Sequence, residues 1–218
     1  MVLVPGILAR GPWSPADVDV TWSDQPFEPE PAVVDAADRA LATLRGRGSP
    51  SHDGLAARLV GFNVGGGGLQ LRCEPVRWAL RLLATDTHDS LSALCVVRSA
   101  DGCWLAGRRA AWLATWAQRW ALGAAGSVEV GENPADTLAR ELDEEWSVSA
   151  ERLTVEALVK LPTGIVMLVG MAWLAEGAAV TPDAEHDDFA WWPPEVSRWP
   201  EQADDPLRRL GELLSPVP

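Results

Sequence analysis

Residues 126–148, GSVEVGENPADTLARELDEEWSV, hold seven carboxylates (Glu129, Glu132, Asp136, Glu141, Asp143, Glu144 and Glu145) and a single arginine, Arg140. Glu141, Glu144 and Glu145 stand at i, i+3 and i+4, the spacing that gathers side chains on one face of a helix. Like charges this dense repel, so a bare surface helix gains nothing from them. A site that collects divalent cations does. Carboxylate oxygens are hard ligands, which suit Mg²⁺ or Mn²⁺ and not zinc. Cations bound in this way clamp phosphoryl oxygens and lower the pKa of coordinated water, as hydrolysis of a pyrophosphate requires.

The neighbouring residues predict the elements that position these carboxylates. Asn133 can cap a helix whose first position is Pro134, where a missing N–H costs nothing. Asp136 then falls in the first turn, favourable to the helix dipole. Ala135, Leu138, Ala139, Leu142 and Trp146 form an apolar stripe at helical spacing, predicting one face packed inward and the glutamates on an adjacent face. Gly123, Gly126 and Gly131 permit a tight loop before the helix, from which a backbone carbonyl can approach a cation closely.

The same segment resembles the signature of the Nudix hydrolases: Gly, five residues, Glu, seven residues, then Arg-Glu-hydrophobic-any-Glu-Glu-any-Gly-hydrophobic. Gly126, Glu132, Arg140, Glu141, Leu142, Glu144, Glu145 and Val148 fall on its fixed positions, and Ser147 stands where the family usually has glycine. That departure lies past the metal ligands, at the helix exit. The resemblance implies that Glu141, Glu144 and Glu145 are metal ligands, one of them able to act as general base. It implies a further ligand in the Gly126 carbonyl, an orienting role for Arg140 and a supporting carboxylate in Glu132. Some members carry the base in a distant loop. Here Asp183, Glu185, His186, Asp187 and Asp188 are the candidates, a polar turn leading into a strand near Phe189 being the simpler expectation. The implied fold is an α/β/α sandwich with a mixed sheet over residues 88–218, preceded by a small α+β extension over residues 1–87.

At 218 residues the chain can bury a real core, and it is longer than a minimal domain of this kind requires. A hydrophobic fraction of 47% and a mean hydropathy near zero indicate a soluble globular protein, with no apolar run of membrane-spanning length. The first residues lack a basic region and a long apolar stretch, so no signal peptide is expected. Cys73, Cys95 and Cys103 lack paired-ligand spacing and read as reduced residues of a cytoplasmic protein. A formal charge of −13 argues against nonspecific nucleic-acid binding and leaves a small nucleotide substrate open, because bound metal supplies the positive charge.

Along the chain, apolar periodicity predicts a helix over 33–44. Strands follow over 57–64 and 69–73, joined by Gly65 to Gly68, then a short helix over 75–85 and a link over 86–89. The glycine run lacks the Lys-Ser/Thr that a phosphate-cradling Walker loop needs, so a hairpin turn is expected. Strands over 91–97 and 103–108 flank a turn at 99–102. Strands over 155–161 and 165–174 flank Pro162-Thr163-Gly164, and a short strand over 189–192 precedes a terminal helix over 205–214. Trp112, Trp116 and Trp120, at i, i+4 and i+8, mark either a helix face or a ligand-stacking loop, with core packing the simpler expectation.

Substrate identity is less legible. The N-terminal segment is similar in pattern to the branch of the family that resembles UDP-glucose pyrophosphatase, which implies a nucleotide sugar. Twelve tryptophans suit stacking on a base or sugar face, although burial explains most of them. The chain has no tyrosine, so it lacks the downstream tyrosine typical of the family's dinucleoside polyphosphate hydrolases, and the resemblance to that branch is disfavoured. ADP-ribose and nucleoside triphosphates stay open, as does a non-catalytic ligand sensor on the same fold. Dimerisation is an alternative role for the N-terminal segment.

Overall fold

The structure, a computed structural model, describes residues 3–49, 51–83, 88–113 and 115–215. The elements in chain order are β1 (Gly6–Trp13), β2 (Val18–Trp22), α1 (Pro31–Gly46), β3 (Leu55–Gly65), β4 (Gly68–Arg77), β5 (Leu91–Arg98), β6 (Trp104–Arg109), β7 (Trp120–Leu122), β8 (Ala124–Ser127), α2 (Pro134–Trp146), β9 (Arg152–Lys160), β10 (Val166–Trp173), β11 (His186–Trp192) and α3 (Asp205–Leu214).

β5 shows why the molecule is layered. Leu91, Ala93, Cys95 and Val97 alternate onto one face and Leu94 and Val96 onto the other, so the strand is apolar on both sides and needs cover on both. It lies inside a mixed sheet of order β1-β9-β10-β5-β6-β11, with β8 also paired to β5 and β7 to β6. The β10–β5 pairing is parallel and the other pairings of this sheet are antiparallel. On one face α2 inserts Ala135, Leu138, Leu142 and Trp146. On the other, Leu207 of α3 packs with Trp192, Val196 and Trp199 against Val169 and Met171. Helix, sheet and helix form the expected α/β/α sandwich.

The N-terminal portion has the expected α+β character, and it shares the core of the rest. β1, absent from the sequence-based expectation, is the edge strand of the large sheet, pairing with β9 from Gly6↔Lys160 to Trp13↔Val155. β2, also not anticipated, runs parallel to β4 in a second sheet of order β2-β4-β3. Leu59, Leu69, Leu71 and Cys73 of that sheet pack in the same core as α2. Backbone bonds from Ala57 N–H to Val128 O and from Leu59 N–H to Asp89 O complete the junction.

The β3–β4 hairpin turns at Gly66 and Gly67, both with positive φ, as the glycine run predicts. The short helix expected over 75–85 is a correction: β4 continues to Arg77 and only a 3-10 turn, Trp78–Leu82, follows. Val76 is held in the sheet by packing with Ala37 and Leu41 of α1, so tertiary contacts override local helix preference. The remainder of that expected helix and most of the expected link, residues 84–87, lie outside the described residues. Residues 110–113 and 115–119 lie outside helices and strands, with Trp116 and Gln118 at positive φ, and Trp112 and Trp116 are exposed, not core. The three cysteines are free, and burial pushes the Cys73 and Cys95 thiols up to about 12. No helix among the described residues is long and apolar enough to cross a membrane.

Candidate active site

α2 starts as its sequence dictates. Asn133 Oδ1 accepts the Ala135 N–H at 3.0 Å, Pro134 follows the cap, and Asn133 Nδ2 donates to Val18 O at 2.8 Å, tying the helix to the small sheet. The apolar stripe is buried except for Ala139, which faces solvent. The helix ends at Trp146, fully buried, whose indole N–H donates to Gly123 O at 3.0 Å. Ser147 then adopts φ 50° and ψ 42°, the left-handed cap in which glycine is the unstrained residue. This explains why the signature has glycine there, and shows that Ser147 tolerates the same exit.

Two of the three glutamates turn inward. Glu141 is 8% exposed and Glu145 4%, which rules out a solvated acidic helix. Glu145 Oε1 accepts the Ala125 N–H at 2.9 Å, while Oε2 is buried with no hydrogen-bond partner. Burial pushes Glu145 up to about 9; the Ala125 N–H opposes this, and the charges of Glu185 and Glu141 add to it. Burial likewise raises Glu141 to about 7 against the pull of Arg140. Glu144 lies more than half exposed on the outer side, held by Arg140.

Arg140 organises this edge. Its Nε and Nη2 donate to the two oxygens of Glu132 at 2.9 and 3.2 Å, and Nη1 reaches Glu141 at 2.7 Å and Glu144 at 3.0 Å. Nη2 also donates to Ser127 O at 3.1 Å, clamping α2 to the end of β8. Burial works to raise Glu132, but Arg140 and the Glu129 N–H together hold it below the usual carboxylate range.

Two glycines let β8 come this close. A Cβ at Gly123, which has positive φ, would collide with the Cys95 carbonyl, and one at Gly126 would collide with the Glu141 carboxylate. The Glu141 carboxylate occupies the cradle left by the missing side chain at Gly126.

Among the described residues no three His, Cys, Asp or Glu side chains are already arranged to cage a metal. The groups nevertheless fit a divalent cation. The buried Glu145 Oε2 lacks a hydrogen-bond partner, the Glu141 carboxylate fills the glycine cradle, and both are hard oxygen donors. Glu144, paired with Arg140, stands apart from these two.

Gly126 and Glu145 line a cavity of about 320 Å³. Its polar end holds Gly126, Glu145, Arg81, Arg109 and His186, and Trp116 stands on its wall. Of the residues named for a distant base, Glu185 and His186 do approach the site. His186 is buried, with Nε2 3.7 Å from Glu145 Oε2, and its ring stacks on Trp146 at 4.5 Å. Arg109 Nη2 pairs with Glu185 Oε2 at 3.4 Å. Asp187 and Asp188 are exposed, and Asp187 pairs with Arg108 outside the cavity. Arg81 and Arg109 were not anticipated. Arg81 lies in no motif and reaches the site through tertiary folding; Arg109 falls one residue past the predicted strand and is the last residue of β6, with only its charge beside an apolar run as a signal.

A family model for the NUDIX domain matches residues 88–213, more than half of the chain. The chain belongs to the Nudix family. No curated protein matches it in sequence. Among solved structures, a MutT Nudix hydrolase from Burkholderia pseudomallei is similar over 58% of this chain and 98% of its own, at 22% identity and a TM-score of 0.48. The Nudix domain of NrtR from Shewanella oneidensis, solved with ADP ribose, is similar over 57% of this chain and 84% of its own, at 20% identity and a TM-score of 0.46. An Ap4A hydrolase from C. elegans covers 56% of this chain and 92% of its own, at 19% identity and a TM-score of 0.42. As a Nudix enzyme the chain is a pyrophosphohydrolase, acting on nucleoside diphosphate derivatives. Enzymes of this family generally work with a divalent metal.

Proposed function

We propose that this Nudix enzyme hydrolyses, with Mg²⁺ or Mn²⁺, the pyrophosphate bond of a nucleoside diphosphate linked to a further group, a nucleotide sugar first among the candidates. The observation that carries the proposal is the buried, unpartnered Glu145 Oε2 beside the Gly126 cradle, at the mouth of a cavity holding arginines. Glu141, Glu144, Glu145 and the Gly126 carbonyl would hold the metal. When bound, the metal neutralises the phosphoryl oxygens and activates water. Arg140 fixes Glu141 and is itself fixed by Glu132, so the carboxylates keep their orientation through turnover. A carboxylate oxygen of the cluster not engaged by the metal would take the proton of the attacking water. The exposed Trp116 offers its face to the base or sugar.

One observation favours a second reading. Beyond the polar end the cavity wall is aliphatic, formed by Leu94, Val159, Met167, Val169, Leu207 and Leu210. Ribose and sugar hydroxyls would find few partners there, whereas the diphosphate of an apolar alcohol would bury its chain. Nucleoside triphosphates and ADP-ribose remain alternatives to the nucleotide sugar, and a non-catalytic sensor is disfavoured by the full set of signature carboxylates. The acidic charge supports a small-molecule partner and not nucleic acid. We further propose a cytoplasmic location, consistent with three free thiols, and a homodimer in which the N-terminal portion takes part.

A hydrolysis screen with Mg²⁺ over UDP- and GDP-sugars, ADP-ribose, nucleoside triphosphates and a prenyl diphosphate tests the proposal. Release of a nucleoside monophosphate with a sugar phosphate is the expected result. Turnover confined to triphosphates or to the prenyl compound would replace the substrate class, and no turnover of any of them would overturn the hydrolase proposal.

A further inference from the structure

Three arginines stand at the polar end of the site, and their partners differ. Arg140 is occupied by Glu132, Glu141 and Glu144, and Arg109 by Glu185. Arg81, in the 3-10 turn Trp78–Leu82, lines the cavity and has no carboxylate within ion-pair distance among the described residues. Its guanidinium instead meets two hydroxyls: Nη1 donates to Ser127 Oγ, and Nη2 donates to Ser92 Oγ at 3.3 Å. Ser92 and Ser127 are cross-strand partners on β5 and β8, and Ser127 directly follows Gly126. The charge is thus anchored one residue from the cradle.

A guanidinium in a low-dielectric wall is costly without a counter-charge, and two neutral hydroxyls do not supply one. Burial pulls Arg81 below its ordinary range, with the Glu141 charge opposing and Arg109 adding to the effect. Two partly buried arginines of the small sheet show the contrast: Arg58 pairs with Glu74, and Arg77 with Asp38 and Asp53. Five donors in a planar fork, with two directed to serines, leave others for a phosphate.

We infer that Arg81 is a substrate-binding residue, receiving non-bridging oxygens of the substrate's diphosphate, with Ser92 and Ser127 holding its fork in place. The inference rests on the proposal that a diphosphate occupies this cavity. It assigns to the N-terminal portion, outside residues 88–213 matched by the family model, a direct part in substrate recognition. Deleting that portion would not test this, because β1 and the small sheet belong to the common core. Point substitution does.

The experiment uses the full chain with excess Mg²⁺ and titrates methylenediphosphonate, a non-hydrolysable diphosphate, into wild type, Arg81→Gln, Arg81→Lys and Arg108→Gln. Arg108 pairs with exposed Asp187 and controls for net charge. Arg81→Gln should weaken the probe by about ten- to a hundredfold, the worth of charge-assisted hydrogen bonds. Arg81→Lys should recover part of that loss, and Arg108→Gln should bind the probe as wild type does. Binding of Mn²⁺ alone should be unchanged throughout. Wild-type affinity in Arg81→Gln, or no binding of the probe by wild type, would overturn the inference. So would parallel loss of Mn²⁺ binding and thermal stability in both Arg81 variants, which would mark Arg81 as a structural clamp. Probe binding that depends on Arg81 in a chain that hydrolyses no diphosphate ester would support the anion site while sinking the hydrolase proposal.

Discussion

The two helices that cover the large sheet solve the same packing problem under different rules. α3 satisfies its polar groups: Asp204 caps Leu207 N–H at 3.1 Å, and Arg208 donates to the carbonyls of Val196, Trp199, Pro200 and Ala203. Its buried positions are Leu207 and Gly211, where a Cβ would collide with Trp199. α2 begins as well capped and as apolar, then buries two glutamates, leaves one oxygen unpartnered and exits through a strained serine. Its departures cluster at the cavity end. α3 packs with its polar groups satisfied and gives the cavity only apolar wall, Leu207 and Leu210; α2 gives up stability at the cavity's polar end.

Glu145→Gln breaks the comparison most sharply. Turnover should fall by about a thousandfold or more, close to 4 kcal/mol of transition-state stabilisation, while the fold survives. Steady-state kinetics in Mg²⁺ measure this, and unchanged kcat would remove Glu145 from the chemistry. On the packing side, Leu138→Ala in α2 and Leu207→Ala in α3 should each cost about 3 kcal/mol in urea unfolding, since both side chains are buried. A much smaller loss for Leu207 would mean that α3 packs loosely over the cavity.

The pH dependence should separate the helices too. Glu145 is raised from 4.5 to about 9 in the folded protein, and Glu141 to about 7. The folded state therefore binds more protons than the unfolded one between about 4.5 and 9, so metal-free stability falls as pH rises through that window. Melting temperatures in EDTA should decline across it, and Glu145→Gln should flatten the decline. An equally steep profile in that variant would refute the assignment. The smallest effect belongs to Ser147→Gly, which relieves the left-handed cap and should stabilise α2 by about 0.5–1 kcal/mol, the residual after glycine's extra unfolded-state entropy. Equal or lower stability would show that Ser147 is not strained.

Sequence legibility follows the same division. The start of α2, its apolar face and its carboxylates were legible because each depends on spacing within one element. α1, the β3–β4 hairpin and α3 were legible for that reason as well. β1 and β2 were missed because their pairing partners lie far along the chain, β9 for one and β4 for the other. Trp112 and Trp116 fit a helical period, but the chain there is a loop whose backbone visits positive φ. Spacing put three glutamates on one face. It could not show that Arg140 draws Glu144 outward while burial holds Glu141 and Glu145 inside. Arg81 was illegible, since nothing local distinguishes it from sixteen other arginines.

Manganese binding followed by electron paramagnetic resonance tests the central claim most directly, because it reads the cation at the carboxylates without any assumption about substrate. Wild type should bind Mn²⁺ tightly enough to deplete the free-ion signal, Mg²⁺ should compete, and Glu145→Gln should weaken binding by about tenfold or more. A wild-type chain that leaves the free Mn²⁺ signal intact, or a variant that binds as wild type does, would contradict a metal-dependent site on α2.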